Sequence, residues 1–313
     1  MRYFLLFLLF SPIILRAQIE EKNSIDTIDV GFYVDDIYDI NYVKGTYRIS
    51  LFLWATSTSV KYNFNDYLDI HHAIDKKIEL VMLDSSNEVN GRKIYWSEAK
   101  LNLEVLQKFD ITKFPFDKQN INLNLEFSYD GSDSLKINLS KKNSLMPKSI
   151  PFDWKIESKE FNLDTIHYDT NFGDVSVTSY DFNVLSINYS FIRESTTLFV
   201  KLFIALFISL LIACSSLFLP NARTESKITL IVGGLYGAIA NKYITDSFLP
   251  INNTWDLSDK IHSLTIFYLL LLSLYSIYEQ RKGYADNYKK DLIFFTSILI
   301  SYTLFVLLFI FKL

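Results

Sequence analysis

The chain has 313 residues, half of them hydrophobic and 16% aromatic, with a formal net charge of −4 and one cysteine, Cys214. So mild a charge speaks against a nucleic-acid partner, and a lone cysteine excludes an intrachain disulfide or a Cys-based metal site. Most charged residues precede Arg193 and few lie between Thr196 and Leu313, which divides the chain into a soluble half and a membrane half.

Residues 1–17, MRYFLLFLLFSPIILRA, combine an early arginine, an apolar run and a terminal small residue. They read as a secretory signal, with an uncleaved anchor as the alternative; either exports the segment C-terminal to it. Residues 18–195 hold no long apolar run. Period-two alternation predicts short strands at Tyr47–Trp54, Lys77–Leu83, Leu101–Leu106, Asn120–Phe127, Val175–Thr178 and Asn183–Phe191. Lys44-Gly45, Asn90-Gly91, Asp130-Gly131 and Phe172-Gly173-Asp174 supply the turns. Strands at this spacing predict an all-β, immunoglobulin-like sandwich of about ten strands.

After Arg193 come four apolar segments, at 196–219, 225–247, 261–278 and 291–311. About 20 apolar residues cross a bilayer, so a four-helix transmembrane domain is expected over 196–313. Arg223, Arg281, Lys282, Lys289 and Lys290 flank one side, while the loop 246–260 sets Asp246, Asp256 and Asp259 against Lys260. Basic loops stay cytoplasmic, so the sandwich and the C-terminus are expected outside.

The second segment is the unusual one. It carries Glu225, Lys227, Asn241, Lys242 and Asp246, and the glycines Gly233, Gly234 and Gly237. Thr229, Gly233, Tyr236, Ala240 and Tyr243 fall on one helical stripe, opposite Ile228, Val232, Leu235 and Ile239. A pore-lining helix fits this pattern, and so does a helix buried in a bundle with glycines for close packing.

No glycine-rich phosphate loop, nucleophile elbow or H-E-x-x-H motif is present. His71-His72, with Asp69 and Asp75 nearby, would point to opposite faces of a strand and makes a poor metal site. The reading is therefore not an enzyme, with no cofactor and no metal.

Lys113-Phe-Pro-Phe-Asp-Lys-Gln119 resembles the FPFD-x-Q signature of the pentameric ligand-gated ion channel, or Cys-loop receptor, superfamily. Phe127-Ser-Tyr-Asp-Gly-Ser132 is similar to the run that comes after that signature in nicotinic receptors, and Tyr168-Asp-Thr-Asn-Phe-Gly-Asp174 to the loop C region of prokaryotic members. Arg193 stands where the family has an arginine before its first helix, and Lys227 to Pro250 keeps the family's spacing from second helix to the next loop's proline. The chain departs from the family in several places. Gln107 and Ile121 replace the loop cysteines, Ala205 replaces the first-helix proline, and the loop after Tyr278 leaves no room for a cytoplasmic domain. Tyr236 and Gly233 stand where an aliphatic gate and a hydroxylic residue are usual.

The resemblance implies a homopentamer in a bacterial-type inner membrane, opened by a small-molecule ligand and passing monovalent cations. It implies coupling through Phe114, Pro115, Phe116, Asp117, Arg193 and Pro250, with Asp117 and Arg193 meeting at the membrane. Glu225 would form a selectivity ring at the cytoplasmic mouth of a pore lined by Thr229, Gly233, Tyr236, Ala240 and Tyr243, with Tyr236 as gate. Phe127, Tyr168 and Phe172 would form the ligand cage, with an amine as the ligand chemistry that aromatic faces attract. The strand around Trp54–Val60 supplies no convincing aromatic for the complementary face. The alternative is a non-conducting, membrane-anchored sensor on the same fold.

Overall fold

The computed structural model describes residues 26–58, 61–128, 135–141, 143–250, 254–282 and 287–311. The expected signal at 1–17, the Asp130-Gly131 turn and most of the run ending at Ser132 lie outside them. The strands are β1 (Asp26–Asn41), β2 (Thr46–Ser57), β3 (Leu68–Ile70), β4 (Ala73–Val89), β5 (Arg92–Leu106), β6 (Lys118–Phe127), β7 (Leu135–Leu139), β8 (Trp154–Tyr168) and β9 (Tyr180–Arg193), with a one-turn helix α1 (Phe64–Tyr67) before β3. They form two sheets, ordered β4-β5-β2-β1-β7 and β3-β6-β9-β8. Among the described residues these strands pair antiparallel except β1 with β7.

Alternation decides what lies between the sheets. Tyr47, Ile49, Leu51, Leu53 and Ala55 of β2 face Ile121, Leu123, Leu125 and Phe127 of β6 and Leu185, Ile187, Tyr189 and Phe191 of β9 across one core. The β4–β5 hairpin turns on Asn90 and Gly91, with φ of 52° and 74°, the left-handed pair that a two-residue hairpin requires. Several strands run 12–17 residues, longer than the expected short ones. Val175–Thr178 is not a strand. Asp174 Oδ1 accepts hydrogen bonds from the Ser176 amide (2.8 Å) and hydroxyl (2.6 Å), which fold this stretch into turns and leave Val175 in solvent.

The polypeptide leaves β9 at Arg193 and enters α2 (Ser195–Cys214), then α3 (Thr224–Asp246), α4 (Leu257–Lys282) and α5 (Tyr288–Phe311). Among the described residues three stretches, Ser195–Phe218, Leu257–Lys282 and Tyr288–Phe311, are long and apolar enough to cross a membrane. This corrects the expectation of four spans resting on composition alone. Helix α3 lacks that apolar character because Glu225, Lys227, Lys242 and Asp246 interrupt it; it packs against α2 and α4.

Candidate functional site

The register of the second sheet builds the junction between sandwich and helices. Lys118 pairs with Ile192 across β6 and β9, so Asp117 and Arg193 emerge side by side, and the Arg193 amide donates to the Asp117 carbonyl at 3.3 Å. Arg193 Nε donates to Asp117 Oδ1 at 3.0 Å, and Arg193 Nη2 donates to the Tyr42 hydroxyl at 2.7 Å. The Tyr42 hydroxyl donates in turn to Asp117 Oδ2, which also accepts from Gln119 Nε2 at 2.7 Å. The guanidinium lies 4.2 Å from the centre of the Trp154 ring. Only 1% of the Asp117 side chain and 8% of the Arg193 side chain is exposed, so this is a buried, multiply bonded ion pair. Burial first, and the Asp117 carboxylate second, push the Tyr42 phenol well above its ordinary range.

The loop between β5 and β6 carries the rest of the motif. Gln119 pins it, accepting from the Asp110 amide at 3.1 Å and donating to the Asp110 carbonyl at 2.6 Å. Phe114 is buried in the sandwich core, and its bond to Pro115 is cis. Phe116 reaches the other way, its ring 5.4 Å from that of Phe199 on α2. Pro250 is half-buried beyond the end of α3.

The ligand residues divide. Phe127 is 1% exposed and sits in the core beside Tyr62, so it offers no face to a ligand; this corrects its assignment. Alternation turns its neighbour Glu126 to the opposite face of β6. There Glu126 Oε2 accepts from the Tyr168 hydroxyl at 2.7 Å and lies 2.9 Å from His71 Nε2. Donating to that carboxylate, with some burial, pushes the Tyr168 phenol up to about 12. Tyr168 and Phe172 belong to one aromatic cluster with Tyr180 and Phe182, at ring distances of 5.4–6.2 Å. Next to Tyr168 on β8, and so on the other face of the strand, His167 places Nδ1 2.7 Å from Asp181 and Nε2 3.0 Å from Asp169. The hydrogen bond to Asp181 leads in raising the imidazole above its ordinary value.

A second aromatic surface escaped the sequence reading. Tyr33, Phe52, Trp54 and Trp96 line a depression with Glu98 on the outer face of the five-stranded sheet. Gly31 makes it possible, since a Cβ there would collide with the Trp54 indole. The signal was present: Phe52 and Trp54 occupy the even positions of β2 whose odd positions fill the core. Lys100 lies 5.2 Å from the Phe52 ring centre, and Lys148 5.6 Å from that of Tyr33. The two aromatic surfaces lie on different sheets of the sandwich.

On α3, Glu225, Thr229, Gly233, Tyr236, Ala240 and Tyr243 are all exposed, Tyr236 by 70% and Tyr243 by 81%. Ile228, Val232 and Ile239 are exposed as well, so the aliphatic side is not the face packed on the other helices. That face is Thr224, Lys227, Ile231, Gly234, Ala238, Asn241 and Thr245. A Cβ on Gly234 would stand 2.7 Å from the Ser209 carbonyl, and one on Gly237 would strike the Ser209 hydroxyl, whereas Gly233 has open space. Asn241 Nδ2 donates to the Leu202 carbonyl of α2 at 2.8 Å, and its Oδ1 lies 2.9 Å from His262 Nε2 of α4. Lys242 Nζ pairs with Asp259 of α4 at 2.7 Å and also with Asp246. These polar ties bury Asn241 between helices and hold Lys242 against α4.

No family model matches the chain, and no curated protein is significantly similar to it.

Proposed function

We propose that the chain is a subunit of a homopentameric ligand-gated ion channel of the Cys-loop receptor type, cation-selective and set in an inner membrane with the sandwich outside. The observation that carries this reading is the junction. The Phe-Pro-Phe-Asp loop meets the first helix through Phe116 and Phe199, and its aspartate is buried against the arginine that leads into that helix. Such a pair makes the strand ends and the helix entry one mechanical unit, so a shift in the sandwich reaches the helices.

The aromatic surfaces support an intersubunit ligand. The Tyr168–Phe172–Tyr180–Phe182 cluster and the Tyr33–Phe52–Trp54–Trp96 depression lie on different sheets of one protomer, so they form one site only by apposition of two copies. Aromatic faces above the Glu126 carboxylate suit a small amine. Ligand closure of that site would bias α3 between two positions. In a five-fold ring the open stripe of α3 lines the axis, Glu225 forms a carboxylate ring at one mouth, and Tyr236 narrows the middle. The small, polar face of α3 packed on α2 and α4 holds it inside the helix bundle in spite of its charges.

A non-conducting sensor remains the second reading, favoured by Tyr236 and Tyr243, two bulky side chains one above the other on the same exposed stripe. Assembly is tested by native mass measurement in mild detergent. Five copies are expected; a monomer or dimer as the sole species contradicts the proposal.

A further inference from the structure

A cavity of about 540 Å³ opens between the sandwich and the helix ends, within the size range of small-molecule sites and at a domain interface, where such sites concentrate. Its upper wall is the end of β1 and the loop before β8, its lower wall Leu198 and Leu202 of α2, and its far side Ser247 and Phe248 beyond α3. Both the sandwich and the helices therefore contribute to it.

The charges around it do not balance. Arg193 is matched by buried Asp117 at 3.0 Å, and Arg48 by Glu104 at 2.8 Å. Two further carboxylates remain, both on the cavity wall and both half in solvent. Asp153 Oδ2 is 3.6 Å from Arg193 Nη1, and Asp39 Oδ2 is 3.7 Å from Arg48 Nε, contacts longer than hydrogen bonds. With Lys44, whose charge acts on Glu104, three cations stand against four carboxylates and leave a surplus of one negative charge (3 − 4 = −1). Beneath them the lining is aromatic and aliphatic, with Tyr42, Phe248, Leu198 and Leu202. Arg193 does not repel a cation strongly here, because its guanidinium is turned onto Asp117, Tyr42 and the Trp154 ring.

We infer that this cavity is a binding site for an organic ammonium ion with an apolar body, the head group held by Asp39 and Asp153 and the body on Leu198, Leu202 and Phe248. It is distinct from the aromatic cluster around Tyr168, and it does not rest on the channel reading. An occupant bridges the end of β1 to the segment after α3, so it stabilises one arrangement of the two halves over any other. The chemistry has two sources, a free amine or the ammonium head of a lipid, because α2 starts its apolar course at this level.

The test titrates the full chain, in lipid-free detergent, with benzyltrimethylammonium by calorimetry. Two classes of binding are expected, one at each aromatic-lined site. Asp39→Asn with Asp153→Asn should weaken one class by at least about tenfold, the loss of close opposite charges, and Glu126→Gln should weaken only the other. Val43→Trp, a filling substitution at an exposed wall residue, should abolish the same class as the aspartate pair and keeps the test valid if the double variant does not fold. A parent with a single class that the aspartate pair removes and Glu126→Gln leaves intact supports the junction site even where the loop site fails. In nanodiscs, competition by phosphatidylethanolamine but not phosphatidylglycerol identifies the lipid as occupant, and no competition identifies a free amine. Unchanged binding in both the aspartate and Val43→Trp variants overturns the inference.

Discussion

Asp117 is 1% exposed and receives three donors, from Arg193, Tyr42 and Gln119. Asp117→Leu would leave the Arg193 charge buried without its partner, which costs about 3–5 kcal/mol. For a domain of this size each 1 kcal/mol moves the melting temperature by about 2–4 °C, so the shift should be roughly 10 °C. Trp154, stacked on the guanidinium, reports the loss by fluorescence during thermal unfolding. Arg193→Met alone strands the carboxylate and should destabilise to a similar degree. The double variant removes both charges, leaving only the Tyr42 hydroxyl and Gln119 amide to find new acceptors, at about 1–3 kcal/mol each. Its destabilisation should therefore fall short of the sum of the singles by about 2 kcal/mol or more. Strict additivity would refute the claim that the two charges act as one buried pair.

The glycines of α3 should separate in melting experiments. Gly233→Ala, in open space, should stabilise by up to about 1 kcal/mol, while Gly234→Ala and Gly237→Ala, which press on Ser209, should destabilise; equal effects at all three would contradict the packing described. His167, with a carboxylate oxygen at hydrogen-bond distance from each ring nitrogen, satisfies both only as an imidazolium. Its raised pKa means that the stabilisation is complete below about pH 6.5 and is lost as pH rises through the folded-state value. Hydrogen exchange in the β8–β9 turn, corrected for intrinsic rate, should therefore quicken as pH rises above the ordinary histidine range, and His167→Gln should flatten the profile; a flat profile in the parent removes the clamp. Tyr236→Ala should leak ions without ligand, and a silent, folded pentamer would move the barrier to Tyr243.

The sandwich was legible in the sequence because its core positions alternate cleanly, as along Tyr47, Ile49, Leu51 and Leu53. Strand β8 was not, because it lies at a sheet edge and most of its side chains are solvated, which leaves little alternation to read. Phe127 was misplaced for a related reason: motif spacing locates a loop, whereas strand parity decides which of two adjacent residues turns away from the core, and parity selects Glu126, itself covered by Tyr168 and His71. The α3 face was half legible. Small and hydroxyl-bearing residues marked the open stripe, but nothing in the sequence assigned the polar Asn241 and Lys227 to the packed face, because only tertiary partners, His262 and Asn221, reveal their burial.

The central claim is that Glu225 rings a cation-conducting pore. The measurement that tests it most directly is the reversal potential of purified protein in a planar bilayer under a salt gradient, with ligand or with the Tyr236→Ala variant to open the pathway. The account predicts a cation-selective potential that weakens in Glu225→Ala and moves toward anion selectivity in Glu225→Lys. A folded pentamer that passes no current, or one whose potential is unchanged in both variants, would contradict it.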